Sequence, residues 1–499
     1  MIADLHSPQE AANWLRTRVT GELRTDSRSI QAGDGFVAWP GAAHDARRYI
    51  GDVQTAGATA CLVEKQGIEA FGLMDEKVAA YPGLKAAAAP IAAAFYGEPS
   101  QQLQTVAITG TNGKTSTAWW LAHALGKLNR KCGVVGTLGI GAPDALVFNG
   151  LTTPDPVLLQ QQLRRFVDEG FTACAIEASS IGIAEQRLDA THFQVAVFTN
   201  FTQDHLDYHG SMKAYWAAKE SLFAWPGLMS AVINVDDANG LALSAKLQAS
   251  GLDVWTVSVN QAARLQALSI EQNASTLKFV VVEGQDDLQQ QQTITTRALG
   301  LYNVSNLLGV VGSMRALGIS LEDAARACCD LPAVPGRMNT LGQTDEPLVV
   351  IDYAHTPDAM EKVLLALRPV AQSRGGQLWC LFGCGGDRDA TKRPLMAAVA
   401  QKYSDRMVVT SDNPRSENPA TIISQILLGL THRDSAYVQI DRALAIAETI
   451  ANAKPVDVVL LAGKGHENYQ KIGSVKYPFE DQLHAQAALS ARPSIGVSA

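Results

Sequence analysis

Long hydrophobic runs are missing from this 499-residue chain, and so is any excess of positive charge. The longest apolar stretches, such as residues 86–95, are short and rich in Ala and Pro, so we expect no membrane-spanning segment and no membrane partner. The net charge is −8 and the basic residues are scattered, which disfavours a nucleic-acid-binding surface. The first residues carry no basic region followed by an apolar run, so we expect no secretory signal.

Cysteine is sparse as well. The chain has seven cysteines, an odd number without a Cys-x-x-Cys pair, which indicates reduced thiols and a cytoplasmic protein. Cys380 and Cys384 have no His or Cys partners at the spacing of a zinc site. We therefore predict that both are small core and loop residues rather than metal ligands.

What the chain does contain is typical of a globular α/β protein, with 47% hydrophobic and 18% charged residues. Its length is too great for one ordinary core and suggests about three domains. We place them at residues 1–98, 99–336 and 337–499. In the first, the patterns predict strands at 36–39 and 58–63 and helices at 49–55 and 84–96.

The most informative segment is a strand that runs into a phosphate-binding loop. Residues 105–108 are apolar and β-branched, Gly110 and Gly113 let a backbone approach an anion, and helical spacing of apolar residues follows. Lys114 supplies a positive charge, and Thr115 offers a hydroxyl to a magnesium ion. The common Walker spacing would place Gly where this chain has Ile108, but the strand and helix around the loop favour a nucleoside-triphosphate site over a plain turn.

Polar residues also follow the next predicted strands of the second block. Residues 173–176 end in Glu177, and residues 195–198 lead to a loop with Asp204, His205, Asp207 and His209. Ligands of a parallel sheet bind where its strands end, and Mg²⁺ prefers carboxylates, waters and phosphate oxygens. We interpret the loop as part of a metal and nucleotide site rather than a solvated polar loop. Residues 252–298 predict an antiparallel β insertion with strands 254–259, 277–282 and 293–297.

The third block repeats this arrangement and predicts a doubly wound domain with a binding rim. Its four apolar strands, each followed by a polar motif, lie at residues 349–351, 378–382, 407–410 and 456–461.

Several single residues have both an ordinary and a functional interpretation. Lys219 has the pattern of a surface lysine on a helix. Asn303 and Asn306 sit at a helix start and fit either an N-cap or a contact to base or ribose. Four arginines would usually be exposed, but most stand in Gly- or Pro-containing loops where a guanidinium can bind phosphate or carboxylate. They are Arg187, Arg337, Arg388 and Arg415.

Taken in order, these motifs resemble those of the Mur ligases. They are Thr109-Gly-Thr-Asn-Gly-Lys-Thr115, Asp204-His-Leu-Asp-Tyr-His-Gly210, Gly300-x-x-Asn303-x-x-Asn306, Gly336-Arg-Met338 and Asp352-Tyr-Ala-His-Thr-Pro-Asp358. The resemblance implies an N-terminal uridine-nucleotide domain, a central P-loop ATPase-like parallel sheet and a C-terminal Rossmann-like amino-acid domain. It implies an ATP- and Mg²⁺-dependent ligase, acting on small molecules as a monomer. Such a ligase adds meso-2,6-diaminopimelate to UDP-N-acetylmuramoyl-L-alanyl-D-glutamate through an acyl phosphate, in peptidoglycan precursor synthesis.

The resemblance also implies roles for individual residues. ATP would be held by Gly110, Thr111, Asn112, Gly113, Lys114, Thr115, Ser116, Asn303, Arg337 and Asp352. Metal ions would be held by Thr115, Glu177, His205 and Lys219. Lys219 would be modified to a carbamate. The catalytic residues would be Lys114, Lys219, His205 and Glu177. The UDP-muramoyl-peptide would contact Ser27, Thr152, Thr153, Ser179, Glu185 and Arg187. Diaminopimelate would contact Arg388, Asp412, Asn413, Pro414, Arg415, Gly463 and Glu467.

Two positions depart from the family pattern: Ile181 stands where His is usual, and Glu185 where Gln is common. Both affect the expected contacts to the peptide. The alternatives are an L-lysine-adding ligase, the ligase that adds the following dipeptide, a folylpolyglutamate-type ligase, or a nucleotide-switched binding protein without ligase chemistry. The Asp412-Asn-Pro-Arg415 motif argues against the dipeptide-adding and folylpolyglutamate types.

Overall fold

The computed structural model describes residues 2–41, 44–272, 276–284, 289–298, 300–343, 345–432 and 435–492. Three sheets follow one another along the chain, each with its own hydrophobic core. Across these residues, every helix is too short or too polar to cross a membrane.

The first sheet is parallel, with its strands in the order β1-β5-β4-β3-β2. Its elements are β1 (Ala3–Asp4), α1 (Pro8–Arg16), β2 (Leu23–Arg24), β3 (Gly35–Ala38), α2 (Ile50–Thr55), β4 (Ala60–Glu64), β5 (Val78–Tyr81) and α3 (Leu84–Phe95). The predicted strands and helices of this block are therefore confirmed. Helix α1 begins where its sequence favours a start, because the Ser7 hydroxyl caps it and Pro8 occupies the first turn.

The second sheet follows the first along the chain, and its strands have the order β16-β15-β14-β13-β12-β11-β6-β10-β7-β8-β9. Its strands are β6 (Gln104–Thr109), β7 (Cys132–Gly136), β8 (Gly139–Ala142), β9 (Ala145–Val147), β10 (Ala173–Glu177), β11 (Val195–Phe198), β12 (Ser230–Asn234), β13 (Asp253–Ser258), β14 (Leu265–Gln272), β15 (Leu277–Glu283) and β16 (Gln290–Thr296). Its helices are α4 (Lys114–Lys127), α5 (Pro156–Asp168), α6 (Ser180–Ala184), α7 (Leu206–His209), α8 (Met212–Glu220), α9 (Ala238–Ala249), α10 (Leu301–Ala316) and α11 (Leu321–Cys328). Helices α4 and α10 cover one face and α5 and α9 the other, so the central strands are apolar on both sides.

The prediction of an antiparallel insertion over residues 252–298 is partly wrong. β13 pairs in parallel with β12 and extends the parallel sheet. Among the described residues of this range, the antiparallel pairs are β14–β15 and β15–β16. β14 was not predicted at all. Strand direction is set by the α9 crossover between β12 and β13, which an alternating pattern cannot reveal. Residues 273–275 and 285–288 of this range lie outside the described residues.

The third sheet has the order β17-β18-β22-β19-β20-β21 and is parallel except at the β17–β18 edge. Its elements are β17 (Asn339–Leu341), β18 (Leu348–Asp352), α12 (Pro357–Arg374), β19 (Leu378–Phe382), α13 (Lys392–Tyr403), β20 (Arg406–Val409), α14 (Pro419–Leu427), β21 (Ala436–Val438), α15 (Arg442–Asn452), β22 (Val458–Ala462), the hairpin β23 (Tyr469–Ile472) and β24 (Val475–Pro478), and α16 (Asp481–Ser490). The four predicted strands form one parallel array, as expected. Cys380 and Cys384 are buried in this core, in agreement with the prediction.

A buried ion pair joins two helices of the third sheet to a strand end. Arg442 begins α15 and Asp481 begins α16, and neither side chain is exposed to solvent. The guanidinium donates from Nε and Nη2 to the two carboxylate oxygens at 2.8 and 2.6 Å, and Nη2 also donates to the Ala462 carbonyl. This pair fixes the end of β22, where polar residues of the rim begin.

Asp481→Ala should destabilise the protein by about 3–5 kcal/mol, because it leaves the buried Arg442 charge without a partner. Asp168→Ala, which removes an exposed partner of Arg164, is the matched control and should cost less than about 1 kcal/mol. Urea unfolding of the three proteins measures the difference. Equal losses for the two variants would show that burial of the Arg442 pair does not matter to stability.

Candidate active site

The phosphate loop lies between β6 and α4, as the sequence predicts. Gly110 and Gly113 have φ values of 142° and 89°, and a Cβ on Gly110 would collide with the Thr199 hydroxyl. The loop is held by Asn200, whose Oδ1 accepts from the Asn112 amide at 2.9 Å and whose Nδ2 donates to the Asn112 carbonyl at 3.0 Å. Its backbone shape is therefore fixed by the neighbouring strand end.

Two lysines converge on this loop. The Lys114 ammonium donates to the carbonyls of Gly110 and Thr111, each at 2.9 Å, and the Lys219 ammonium donates to the Gly110 carbonyl at 2.8 Å. The pattern of Lys219 is that of a surface lysine, yet its side chain is 1% exposed. Burial, together with the charge of Lys114, lowers the pKa of Lys219 well below its ordinary value, and burial also lowers the pKa of Lys114.

A buried carboxylate faces the lysines from β10. Glu177 accepts from the Thr115 hydroxyl at 3.0 Å, from the Thr137 amide at 2.8 Å and from the Thr137 hydroxyl at 3.2 Å. Arg337, from the junction before β17, reaches the same Thr115 hydroxyl at 3.3 Å. The strand ends thus bring oxygen atoms that could ligate a metal ion close to cationic side chains, as expected at the carboxyl edge of a parallel sheet.

Of the four Asp and His residues in the loop after β11, two line the cavity and two lie away from it. Asp207 is exposed and His209 contacts the Ser180 hydroxyl at 3.0 Å, while Asp204 and His205 line the cavity. Burial lowers the pKa of His205 to about 4, so its imidazole is neutral at pH 7. Burial alone would raise the pKa of Asp204, but the hydrogen bond from His355 and the charge of Lys392 outweigh it and hold that pKa well below its usual range.

The donor set fits a hard cation that is shared with a nucleotide. Among the described residues, no three His, Cys, Asp or Glu side chains come close enough to hold a metal ion alone. Thr115 and Glu177 offer oxygen atoms side by side, and neutral His205 has a lone pair to offer. Mg²⁺ is usually bound by one or two carboxylates together with phosphate oxygens, which this arrangement permits.

The residues expected at the base and ribose come from two different units. Asn303 and Asn306 lie in the first turns of α10, with Asn306 Nδ2 donating to Asn303 Oδ1 at 3.0 Å. Asp352, at the end of β18, accepts from the amides of Met338 and Ala354, each at 2.8 Å. Burial raises the pKa of Asp352.

These groups surround one cavity of about 1060 Å³. The central sheet lines it with residues 111–116 and with Thr152, Glu177, Ser179, His205, Lys219, Asn303 and Asn306, and the third block lines it with Arg337, Asp352, Tyr353, His355, Asp358 and Lys362. Asn112 Nδ2 donates to Asp358 Oδ2 at 2.9 Å across the two walls. The phosphate loop and the C-terminal sheet therefore meet directly.

The residues expected at the peptide lie beside Glu177. Thr153 donates to the Glu177 carbonyl at 2.7 Å, and its own carbonyl accepts from Arg187 at 2.9 Å. Ser27 begins a half-exposed turn of 3₁₀ helix in the first block, and the nearby Thr25 donates to the Asp155 carboxylate. That contact brings the turn next to the segment that carries Thr152 and Thr153.

The departure at position 185 has a structural counterpart. The Glu185 carboxylate pairs with Lys85 of α3 at 2.7 Å and accepts from the Tyr208 hydroxyl. A neutral Gln could not form the ion pair, so the acidic residue connects the first block to the second.

A second cluster lies at the rim of the third sheet. Arg415 has a φ of 52°, its Nη1 donates to the Gly386 carbonyl at 2.6 Å, and its amide donates to the Lys471 carbonyl of β23. Asn413 Nδ2 donates to Glu467 Oε2 at 2.8 Å. Asp412 packs against Gly463, and the more exposed Arg388 donates to the Asp387 carbonyl.

Sequence reasoning missed several residues of both clusters: Thr137, Asn200, His355, Lys392 and Lys464. Thr137 acts through its contacts to Glu177, which is distant in sequence, so no local signal marks it. Asn200 does carry a signal, because it is one of the polar residues that follow β11. Lys464 does carry a signal, because it stands inside the polar Gly463-Lys-Gly-His-Glu467 segment that follows β22.

The sequence matches the Mur ligase middle domain over residues 108–314 and the Mur ligase, glutamate ligase domain over residues 336–465. It is 56% identical to the UDP-N-acetylmuramoyl-L-alanyl-D-glutamate–2,6-diaminopimelate ligase of Acidovorax sp. (strain JS42), over 98% of each chain. The ligase of the same name from Pseudomonas aeruginosa is 47% identical over 94% of this chain and 95% of its own.

Solved structures agree with these matches. A structure of a UDP-N-acetylmuramoyl-L-alanyl-D-glutamate–2,6-diaminopimelate ligase superposes with a TM-score of 0.64 and 32% identity, over 94% of each chain. The MurF ligase of Thermotoga maritima in complex with ADP shares the fold with a TM-score of 0.67 at 18% identity, over 90% of this chain and 94% of its own. From its sequence and its fold, the chain belongs to the Mur ligase family.

Proposed function

We propose that the chain is an ATP-dependent ligase that joins meso-2,6-diaminopimelate to UDP-N-acetylmuramoyl-L-alanyl-D-glutamate, forming ADP and phosphate, in peptidoglycan precursor synthesis. Relatives between 43% and 56% identical to it carry the name of this ligase. The observation that carries the proposal is the meeting of the phosphate loop, the half-buried Lys114, the buried Lys219 and the Glu177 carboxylate in one cavity, which the C-terminal sheet also lines.

The three blocks supply the three substrate sites in this proposal. Residues 1–98 bind the uridine nucleotide, residues 99–336 bind ATP, and residues 337–499 bind the amino acid. We place the protein in the cytoplasm as a monomer, and its seven free cysteine thiols support the cytoplasm.

The chemistry needs an activated carboxylate, because a carboxylate does not acylate an amine in water. An oxygen of the D-glutamyl γ-carboxylate attacks the γ-phosphorus of ATP, and the bond to the ADP oxygen breaks, giving an acyl phosphate. The amine nitrogen then attacks the carbonyl carbon, the tetrahedral intermediate expels phosphate, and the nitrogen loses a proton. Holding the reactants together can supply on the order of 7–11 kcal/mol of the required barrier reduction.

The protein's own groups neutralise and position charge during these steps. Lys114 lies at the helix start where the terminal phosphates bind, and the loop amides face the same anion. Thr115, Glu177, His205 and a carbamylated Lys219 would hold magnesium. When bound, magnesium neutralises phosphate charge and orients the oxygens. Asn303, Arg337 and Asp352 bind the nucleoside and its phosphates.

Contact between the central and C-terminal units excludes water from the acyl phosphate. The Asn112–Asp358 hydrogen bond and the approach of Arg337 to Thr115 connect the two walls of the cavity. Thr152, Thr153, Ser179 and Arg187 present the dipeptide from the first of these walls.

Purified protein should release phosphate only when ATP, the muramoyl-dipeptide, the amino acid and Mg²⁺ are all present. Lys114→Ala should lower kcat at least about 100-fold, because a cation aimed at developing charge is lost, and it should leave the Tm nearly unchanged. Phosphate release and product mass measure the effect, with Lys127→Ala at the far end of α4 as the control. Full activity of Lys114→Ala would rule out this phosphate site.

Lys219 should carry a carbamate. A carbamate forms on an uncharged amine, and burial lowers the pKa of Lys219 well below its ordinary value, which favours the neutral form more than at an exposed lysine. Lys219→Ala should be nearly inactive and partly rescued by short carboxylic acids, and ¹³CO₂ should label the native protein. The control is Lys213→Ala, an exposed lysine of the same helix. An unlabelled protein with normal activity would end the idea.

The enzyme should prefer meso-diaminopimelate to L-lysine, because the two differ by a distal carboxylate that Arg415 can pair. Pro414 restricts the loop that presents Arg415. The unpaired guanidinium costs roughly 2–5 kcal/mol, or about 30- to several-thousand-fold in kcat/KM. Arg415→Ala should remove most of that ratio, whereas Arg406→Ala, at an exposed strand start, should preserve it. A wild-type ratio near one, or a ratio that Arg415→Ala leaves unchanged, would contradict the role of Arg415 as the selectivity residue.

A further inference from the structure

A buried lysine lies beside the proposed amino-acid site, and none of the roles above uses it. The Lys464 side chain is 0% exposed, and its ammonium lies 3.0 Å from Glu467 Oε2 and 3.3 Å from Asn413 Oδ1. The rings of Tyr469 and Phe479 lie 5.7 and 5.9 Å from the same nitrogen. A buried charge is costly unless it is paired and hydrogen-bonded, so these contacts define one preferred position for the ammonium.

The contacts of Lys464 restrict the carboxylate of Glu467. Asn413 Nδ2 and Lys464 Nζ both donate to Oε2, at 2.8 and 3.0 Å. Asn413 is itself held, because its Oδ1 accepts from the Lys471 amide at 2.8 Å. A carboxylate can accept about four hydrogen bonds. Both donors bind Oε2, and among the described residues no side chain or amide donates to the other oxygen, Oε1.

We propose that Lys464 is a positioning residue for the amino-acid substrate: it fixes Glu467 so that Oε1 accepts the distal ammonium of that amino acid. The inference rests on the proposed function. The charges balance, because the lysine and the substrate ammonium face two carboxylates, Glu467 and the Asp412 that packs against Gly463. Arg415 remains for the distal carboxylate.

The first test is Lys464→Met, which keeps the length of the side chain and removes its charge. The KM for diaminopimelate should rise on the order of 10- to 100-fold, the loss expected for hydrogen bonds to a charged group. The KM values for ATP and for the muramoyl-dipeptide should stay unchanged. Lys476→Met, an exposed lysine of β24 that also lies against Tyr469, is the matched control and should behave as wild type. An unchanged KM for diaminopimelate in Lys464→Met would overturn the proposal.

A double-mutant cycle with Glu467→Gln shows whether Lys464 acts through Glu467. If it does, Lys464→Met should add little to the effect of Glu467→Gln on amino-acid affinity, whereas independent roles would give multiplied effects. Because a buried substitution can also unfold the rim, Lys464→Ala is assayed with and without propylammonium, which replaces the missing atoms. Affinity restored by the amine supports positioning. A restored Tm without restored affinity contradicts it.

The choice of amino acid separates this inference from the proposed function. L-lysine shares the distal ammonium but lacks the distal carboxylate, so Lys464→Met should weaken both amino acids and leave their ratio unchanged, while Arg415→Ala changes the ratio. If the wild type does not prefer diaminopimelate, the proposed substrate is wrong. The double-mutant cycle of Lys464 and Glu467 is then measured with the amino acid that does bind. If the preference holds and the cycle is additive, only the role of Lys464 fails.

Discussion

The site depends on two ammonium groups, those of the half-buried Lys114 and the buried Lys219, that share one backbone carbonyl. Lys114 and Lys219 both donate to the Gly110 oxygen, and Glu177 supplies a nearby negative charge. Two cations this close repel one another in a region with little water, and burial disfavours each of them. An anion or a change in charge state relieves both effects. The charges of the site therefore favour an anion such as a phosphate.

The remaining architecture brings acceptors and a second wall to this point. Parallel strands of the central sheet deliver Glu177 and the Asp204–His205 segment to one edge, and the C-terminal sheet delivers Arg337, Asp352 and Asp358 to the facing edge. Direct hydrogen bonds between the two edges, such as that of Asn112 with Asp358, connect the phosphate loop to the C-terminal unit. The cavity of about 1060 Å³ is therefore lined by both the central and the C-terminal units.

At the rim of the C-terminal sheet, buried charges also need partners, and here the partners are side chains of opposite charge. Buried charges there are paired among themselves: Arg442 with Asp481, and Lys464 with Glu467. Arg442 also donates to the carbonyls of Ser411 and Ala462, which follow β20 and end β22. Arg388 and Arg415, which we propose as ligand-binding residues, are more exposed than these pairs.

The sequence by itself determined the α/β class, the phosphate loop, twelve of the 24 described strands and the motifs at their ends. These features are local, because apolar runs, glycines and cap residues act within a few positions. The antiparallel assignment of β13 was wrong and β14 was missed, since neighbours in a sheet are chosen by crossovers and not by periodicity. Only the tertiary structure decided that Lys219 is buried on Gly110, that Glu185 pairs with Lys85, and that Lys464 lies behind Glu467. A lysine has the same helix pattern whether it faces water or a core, and its role is set by the groups that folding brings from distant segments.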